Sequence, residues 1–234
     1  MKKVLLKLSG EALANGSGEL YDVSFVDKVA TALKKCSDEG YGLAVVVGAG
    51  NIWRGRQGGE MDRTSADRMG MLATVINAIC LKEAIVRAGG KAEVMSAVAM
   101  APFALTYTAE GAKALMEAGT VVVLGAGLGI PFLSTDTTGA VRAAEVGADV
   151  MLMAKNVDYI YTADPRIDPN AKKLESVKAS EVLAMNLKAI DATATATAFC
   201  LSTGMPIGVF GLKDPEDIVR AVKGELVGTV VTPE

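Results

Sequence analysis

"TVVVLGAGLGIPFLSTDTTGAVRAAEVGADVMLMA", residues 120–154, joins two apolar runs through a glycine-studded loop and a segment with helical patterning. It reads as a strand over 120–125, a helix over 136–147 and a second strand over 149–154. Apolar strand runs alternating with helical stretches signal a parallel α/β sheet. Residues 118–135 carry no charged side chain, so length alone admits a membrane-spanning helix, which needs ~20 apolar residues. Gly125, Gly127 and Gly129 alternate there and Pro131 follows, which a helix would not tolerate. What remains is a buried strand followed by a loop able to hold an anion.

The same alternation extends in both directions. Further strands are expected at 3–8, 42–48, 91–95, 206–210 and 228–232, several of them apolar throughout, as in a sheet covered on both faces. Helices are expected at 22–39, 62–88, 108–118, 179–185, 191–203 and 214–223. Gly40, Gly89, Gly119, Gly147, Gly204 and Gly224 stand where these helices should stop. The pattern gives a parallel α/β protein. Inside the helix at 62–88, "MGMLATVINAICL" (69–81) is apolar nearly all round, which predicts burial on two sides. The second cover is either the rest of the subunit or another chain. The polar, turn-rich segment 155–178 is expected to separate two lobes of one domain.

Composition narrows the chemistry. The chain has 234 residues, 50% of them hydrophobic and only 5% aromatic, which predicts an aliphatic core. Its formal net charge of −3 gives no general attraction for nucleic acid or anionic lipid, so neither nucleic acid nor membrane is expected as a partner. Cys36, Cys80 and Cys200 are scattered and odd in number, a usage expected of reduced thiols in the cytoplasm. The apolar part of "MKKVLLKLSG" is too short for a signal peptide. There is no histidine. That removes the commonest general base and the commonest nitrogen ligand for zinc.

Four strand-end loops can carry chemistry. "KLSG" (7–10) ends the first strand with an ammonium and free amides, or is a surface lysine before an ordinary turn. "VVVGAGNIWRG" (45–55) opens a buried strand into Gly48, Ala49 and Gly50, with Arg54 within reach of a phosphate. The loop quoted first places Ser134, Thr135, Asp136, Thr137 and Thr138 at a helix start, where Asp136 or Thr137 can act as a cap and an anion can bind. "VDYIYTADP" (157–165) can grip a base and its ribose, or be a plain turn. Strand-end loops of a parallel sheet gather at one edge. Two phosphate-oriented loops there suggest phosphoryl transfer. A phosphate acceptor is already anionic and needs no side chain to remove a proton, which suits a chain without histidine.

These residues resemble the bacterial uridylate kinases, a branch of the amino acid kinase superfamily, over almost the full length. The resemblance is carried by "VLLKLSGEAL" (4–13), "VVVGAGNIWRG" (45–55), "MDRTSADRMGMLATVINA" (61–78), "STDTTGAVRAAEVGADV" (134–150), "YTADP" (161–165) and "AIDATA" (189–194). It implies a three-layer αβα sandwich around a largely parallel sheet, the amino acid kinase fold. It also implies one domain over 1–234, with an acceptor-side lobe roughly 1–150 and an ATP-side lobe roughly 151–234. The implied activity is ATP + UMP to ADP + UDP, in pyrimidine nucleotide biosynthesis. Mg²⁺ would be held mainly by the nucleotide phosphates, with no metal ligand directly assigned. A hexamer built from dimers is implied as well.

Carried over by position, Lys7, Arg54, Asp136 and Asp191 would be catalytic, Lys7 touching the transferring phosphoryl group and Asp136 and Asp191 organising the lysine and the metal. Lys7, Leu8, Ser9, Gly10, Gly50, Arg54, Lys155, Asn156, Tyr161 and Asp164 would bind ATP. Ala49, Asp67, Leu128, Gly129, Ile130, Pro131, Phe132, Leu133, Ser134 and Thr135 would bind UMP. Three departures matter. Leu128 and Ile130 stand where the family usually has a threonine and an asparagine, so two polar contacts to the acceptor are missing. Ala49 and Tyr159 each replace a usual glycine. A carboxylate or amino acid kinase and a non-catalytic nucleotide- or oxyanion-binding protein are the competing readings. Asp67 and its surrounding block favour a nucleotide acceptor. Lys7, Arg54 and Asp136 together exceed what mere binding needs.

Overall fold

The computed structural model describes residues 1–14, 16, 18–53, 59–163, 165, 167–184, 197–199, 201–225 and 227–234. The main sheet has nine strands in the order β4-β3-β5-β2-β1-β6-β10-β11-β9. Its centre is built from β2 (Gly42–Val47), β1 (Lys3–Leu8) and β6 (Val150–Lys155), flanked by β5 (Val121–Gly125) and β10 (Ile207–Gly211). Beyond β5 lie β3 (Ala92–Ser96) and the two-residue β4 (Leu105–Thr106); beyond β10 lie β11 (Thr229–Thr232) and β9 (Ser176–Lys178). All neighbours pair in parallel except β10 and β11.

Period-two alternation in β1 decides which side chain faces which layer. Val4, Leu6 and Leu8 join a core with α2 (Val23–Asp38), α3 (Arg63–Arg87) and α7 (Glu216–Lys223). Leu5 points the other way, toward α4 (Ala109–Glu117), α5 (Thr135–Val146) and α6 (Ala179–Ala184). Lys7 shares that second face, at the strand's carboxyl end. The three-layer αβα arrangement expected from the sequence is therefore present. All six glycines expected to stop helices have positive φ, as Gly147 (66°) and Gly224 (90°) show at the ends of α5 and α7.

Several expectations need correction. A short helix, α1 (Gly10–Ala14), follows β1 and was not among the expected helices. Segment 155–178 is no mere separator. It holds a two-stranded hairpin of β7 (Ile160–Tyr161) and β8 (Lys173–Leu174), then β9 at the edge of the main sheet. Strands of two or three residues show no periodicity, which is why the sequence hides them. The helix expected at 191–203 lies partly outside the described residues; 197–199 and 201–203 are helical.

Helix α3 is long and apolar enough, by length and composition, to cross a membrane. It packs instead against β5, β3 and α2 as a core helix. In this single chain it is covered on one side only: Ala73, Ala78, Leu81 and Ile85 are buried, whereas Met69 (41%), Leu72 (56%) and Ile76 (52%) are exposed.

Candidate active site

The sheet order places β1 between β2 and β6, so the chain runs to one side of β1 and later returns on the other. The carboxyl ends at such a reversal form a crevice where ligands bind in open α/β sheets. Three of the predicted loops converge there. A Cβ on Gly10 would lie 2.5 Å from Gly48 O and 2.7 Å from Gly50 N, so only glycine lets the first loop touch the second. Thr135 Oγ1 would lie 3.6 Å from a Cβ on Gly48, which brings in the third.

At the centre of the crevice, Asp136 holds two lysines. Its Oδ1 is 2.9 Å from Lys7 Nζ and its Oδ2 is 3.0 Å from Lys155 Nζ. Lys7 and Asp136 are only 8% and 5% exposed. Oδ1 and the Lys7 ammonium thus form a nearly buried charge pair. Burial opposes ionisation of Asp136, but the charges and hydrogen bonds of Lys7 and Lys155 prevail and hold its carboxyl below the usual range. The cluster thus brings two ammonium groups onto one carboxylate at the crevice.

Local sequence explains the placement. Ser134 caps α5 with extended backbone, its Oγ accepting from Thr137 N–H at 3.1 Å. The cap is therefore Ser134, neither Asp136 nor Thr137, and Asp136 is left free to face β1 from the first turn. Gly139 keeps α5 close to the sheet: a Cβ there would come within 2.5 Å of Met151 Cε.

On the β2–β5 side lies a cleft of about 150 Å³. Ala49, Asp67, Leu128, Ile130, Pro131, Leu133 and Thr135, seven of the ten residues expected to bind the acceptor, line it together. Gly129, Phe132 and Ser134 do not. A Cβ on Gly129 would meet Ala97, Ser134 caps the helix, and Phe132 turns outward under Arg63, whose Cζ is 5.6 Å from the ring centroid. Gly127 and Thr138, from the same loop and the helix start that follows it, also line the cleft, as do Trp53, Gly70, Met71 and Thr74, which were not anticipated. Asp67 has a double task there, accepting from Phe132 N–H at 2.8 Å while paired with Arg63 at 2.9 Å.

A buried amide fixes the Gly48–Gly50 loop. Asn77 of α3 is fully buried; its Nδ2 donates to Gly48 O at 2.7 Å and to Asn51 Oδ1 at 2.8 Å. Its Oδ1 accepts from Tyr21 OH at 2.7 Å. Burial, assisted by Cys80, pushes the Tyr21 hydroxyl up to about 12, so it stays a donor.

On the β6–β10 side stands the tyrosine hairpin. A Cβ on Gly211, at the end of β10, would lie 3.0 Å from Asp158 Cα. Asp158 accepts from Lys173 Nζ at 2.7 Å and from Tyr161 OH at 2.8 Å. The hydrogen bond from Lys173 is the main cause that holds the Asp158 carboxyl down at about 2. Lys173 also lies over the Tyr159 ring, 4.5 Å from its centroid. Asn156 donates to Glu11 Oε2 at 2.8 Å, tying the end of β6 to α1.

Leu8 differs from expectation. Its side chain is fully buried in the core and its carbonyl accepts from Gly48 N–H at 2.9 Å, so neither offers itself to a ligand. Lys155, expected among the ATP-site residues, completes the Asp136 cluster. Arg54, Asp164 and Asp191 lie outside the described residues. A larger cavity, about 250 Å³, opens at the opposite edge beside Lys2, Asp149 and Pro206, and no predicted site residue lines it.

A family model described as the amino acid kinase family matches residues 2–210. The chain is similar to the solved UMP kinase of Ureaplasma parvum, with 35% identity and a TM-score of 0.91 over 99% of this chain and 98% of that one. It is similar to the UMP kinase of Bacillus anthracis, with 31% identity and a TM-score of 0.93 over 100% of this chain and 96% of that one. With the uridylate kinase of Archaeoglobus fulgidus it shares 28% identity and a TM-score of 0.76, over 99% of this chain and 100% of that one.

Proposed function

The chain belongs to the amino acid kinase family, and on that premise we propose that it transfers the γ-phosphoryl group of ATP to UMP, giving ADP and UDP in pyrimidine nucleotide biosynthesis. The observation that carries the proposal is the Lys7–Asp136–Lys155 cluster, set between the acceptor cleft and the tyrosine hairpin. A phosphate oxygen of UMP attacks the γ-phosphorus in line. The bond to the β–γ bridging oxygen breaks, and ADP leaves with that electron pair. The UMP phosphate is already anionic, so the chain needs no general base.

The roles follow from position. Lys7 neutralises charge on the phosphoryl group in transit, and Asp136 holds Lys7 and Lys155 in place. Gly10 and Gly50 bring main-chain groups up to the donor phosphates, beside Ser9. Asn156 and Tyr161 stand on the adenosine side. Ala49, Asp67 and the loop 128–135 receive UMP. Arg54, Asp164 and Asp191 are assigned through the resemblance alone. The acceptor-side lobe covers roughly 1–150 and the donor-side lobe roughly 151–234.

Mg²⁺ belongs to the proposal. No group of three His, Cys, Asp or Glu side chains converges among the described residues, and Asp136 is engaged by two lysines. The donor set therefore fits a metal held by nucleotide phosphates, not a protein cage. When bound, Mg²⁺ supplies neutralisation of the β- and γ-phosphate charge. We further propose a cytoplasmic homo-oligomer, a hexamer built from dimers; the exposed Met69, Leu72 and Ile76 on α3 support a subunit contact.

The test is product identity. Chromatography of a reaction containing ATP, Mg²⁺ and UMP should show UDP and ADP appearing in equal amounts. ADP without UDP would overturn the assignment of the acceptor.

A further inference from the structure

Resting on the UMP reading above, we infer that Thr74 and Arg142 are positioning residues that shape the acceptor loop, so that main-chain groups recognise the nucleoside monophosphate despite Leu128 and Ile130. The loop is unusual in its backbone. Between residues 126 and 132, Ala126 (φ 60°), Gly127 (59°), Gly129 (75°) and Phe132 (70°) all take positive φ. Ala126 and Phe132 are the two non-glycine residues with positive φ among the described residues, and such residues persist only where their surroundings hold them.

Side chains from two helices do the holding. Thr74 Oγ1 accepts from Ala126 N–H at 2.8 Å while donating to Met71 O at 2.6 Å, and the bond to Ala126 is buried. Seven residues earlier on α3, Asp67 accepts from Phe132 N–H at 2.8 Å. From α5, Arg142 donates through Nη2 to Gly127 O at 3.3 Å. Arg142 is itself locked, buried with its guanidinium 3.7 Å from the Tyr107 ring centroid and bonded to Glu145 at 2.6 Å. Tyr107 OH donates to the same Glu145 oxygen at 2.8 Å.

The loop is therefore fixed at three main-chain points, by side chains whose own geometry is fixed. From Gly127 to Ile130 the sign of φ alternates. Backbone of alternating hand turns successive N–H groups toward one side and makes a concavity for anions. No hydrogen bond among the described residues uses the N–H of Gly127, Leu128 or Ile130. Leu128 and Ile130 line the cleft as apolar walls.

The experiment measures UMP and ATP KM, with amide hydrogen exchange, for the wild type, Thr74→Val, Thr74→Ser, Arg142→Lys and the double variant Leu128→Thr/Ile130→Asn. Thr74→Val should raise the UMP KM about tenfold, leave the ATP KM within about twofold, and speed exchange at Phe132 as well as Ala126. Thr74→Ser should return both readouts to wild type. Arg142→Lys should raise the UMP KM in the same selective way, and the double variant should change it less than Thr74→Val does. A folded Thr74→Val with unchanged UMP KM, or a double variant with the larger effect, would overturn the inference. If the wild type makes no UDP, the function falls instead. Exchange at Phe132 then still decides the clamp, since a rate equal to wild type in Thr74→Val refutes it.

Discussion

Asp136 Oδ1 and Lys7 Nζ stand 2.9 Å apart, both side chains nearly closed to solvent, across the junction of α5 and β1. The pair ties the first turn of a helix to the end of the central strand. It also aims an ammonium at the crevice between the acceptor and donor sides. Chemistry and packing therefore meet in one contact.

Lys7→Ala tests the chemical half. An ammonium acting on transition-state charge should be worth about 10²–10³ in kcat. The fold should survive, because Lys155 remains 3.0 Å from Asp136 and keeps the carboxylate paired. Steady-state ADP release, with circular dichroism as control, checks this. Turnover within about threefold of wild type would remove Lys7 from its role.

Asp136 makes a pH prediction. Folding lowers its pKa, because the two lysines outweigh the effect of burial. Ionised Asp136 thus stabilises the fold above the ordinary carboxylate value of about 3.9. That contribution disappears as pH falls through the lower folded value. Wild-type Tm should therefore decline on acidification below about pH 4 more steeply than that of Asp136→Asn. At neutral pH the variant should be the less stable protein, since the Asp136 carboxylate that pairs with both Lys7 and Lys155 is then gone. Parallel Tm curves for the two proteins would contradict the assignment.

Asn77→Leu tests the loop's anchor. The substitution strips partners from Gly48 O, Asn51 and Tyr21 OH at a fully buried position. Unsatisfied buried groups of this kind cost about 2–4 kcal/mol together. Urea denaturation should show that loss, and the KM for both nucleotides should rise because the Gly48–Gly50 loop borders both sides.

The exposed face of α3 predicts an assembly. Leu72→Glu combined with Ile76→Lys places charges on two exposed apolar positions without touching the core. Sedimentation should show a smaller species than the wild type. An unchanged sedimentation coefficient would place the subunit contact elsewhere.

Much of this architecture was legible in the chain. Apolar runs gave the seven longer strands to within a residue or two, because a strand covered on both faces needs no alternation. Lys7 and Asp136 were each visible as strand-end and helix-start residues, but 129 positions separate them, and only the resemblance joined Asp136 to the lysine. Lys155 was visible as an ATP-site residue, not as the second partner of Asp136. In the helix at 62–88 a nearly continuous apolar pattern masks Thr74 and Asn77, polar residues that hold the two loops around the cleft. Ser134 was overshadowed as a cap by Asp136, whose charge suggested capping but whose side chain faces Lys7.

The most direct measurement is the initial rate of ADP release with ATP and Mg²⁺ against UMP, CMP, dTMP, AMP and GMP in turn. Fast turnover on UMP, with the other four near background, is the predicted result. Silence across all five, from folded protein that still binds ATP, would contradict a UMP kinase.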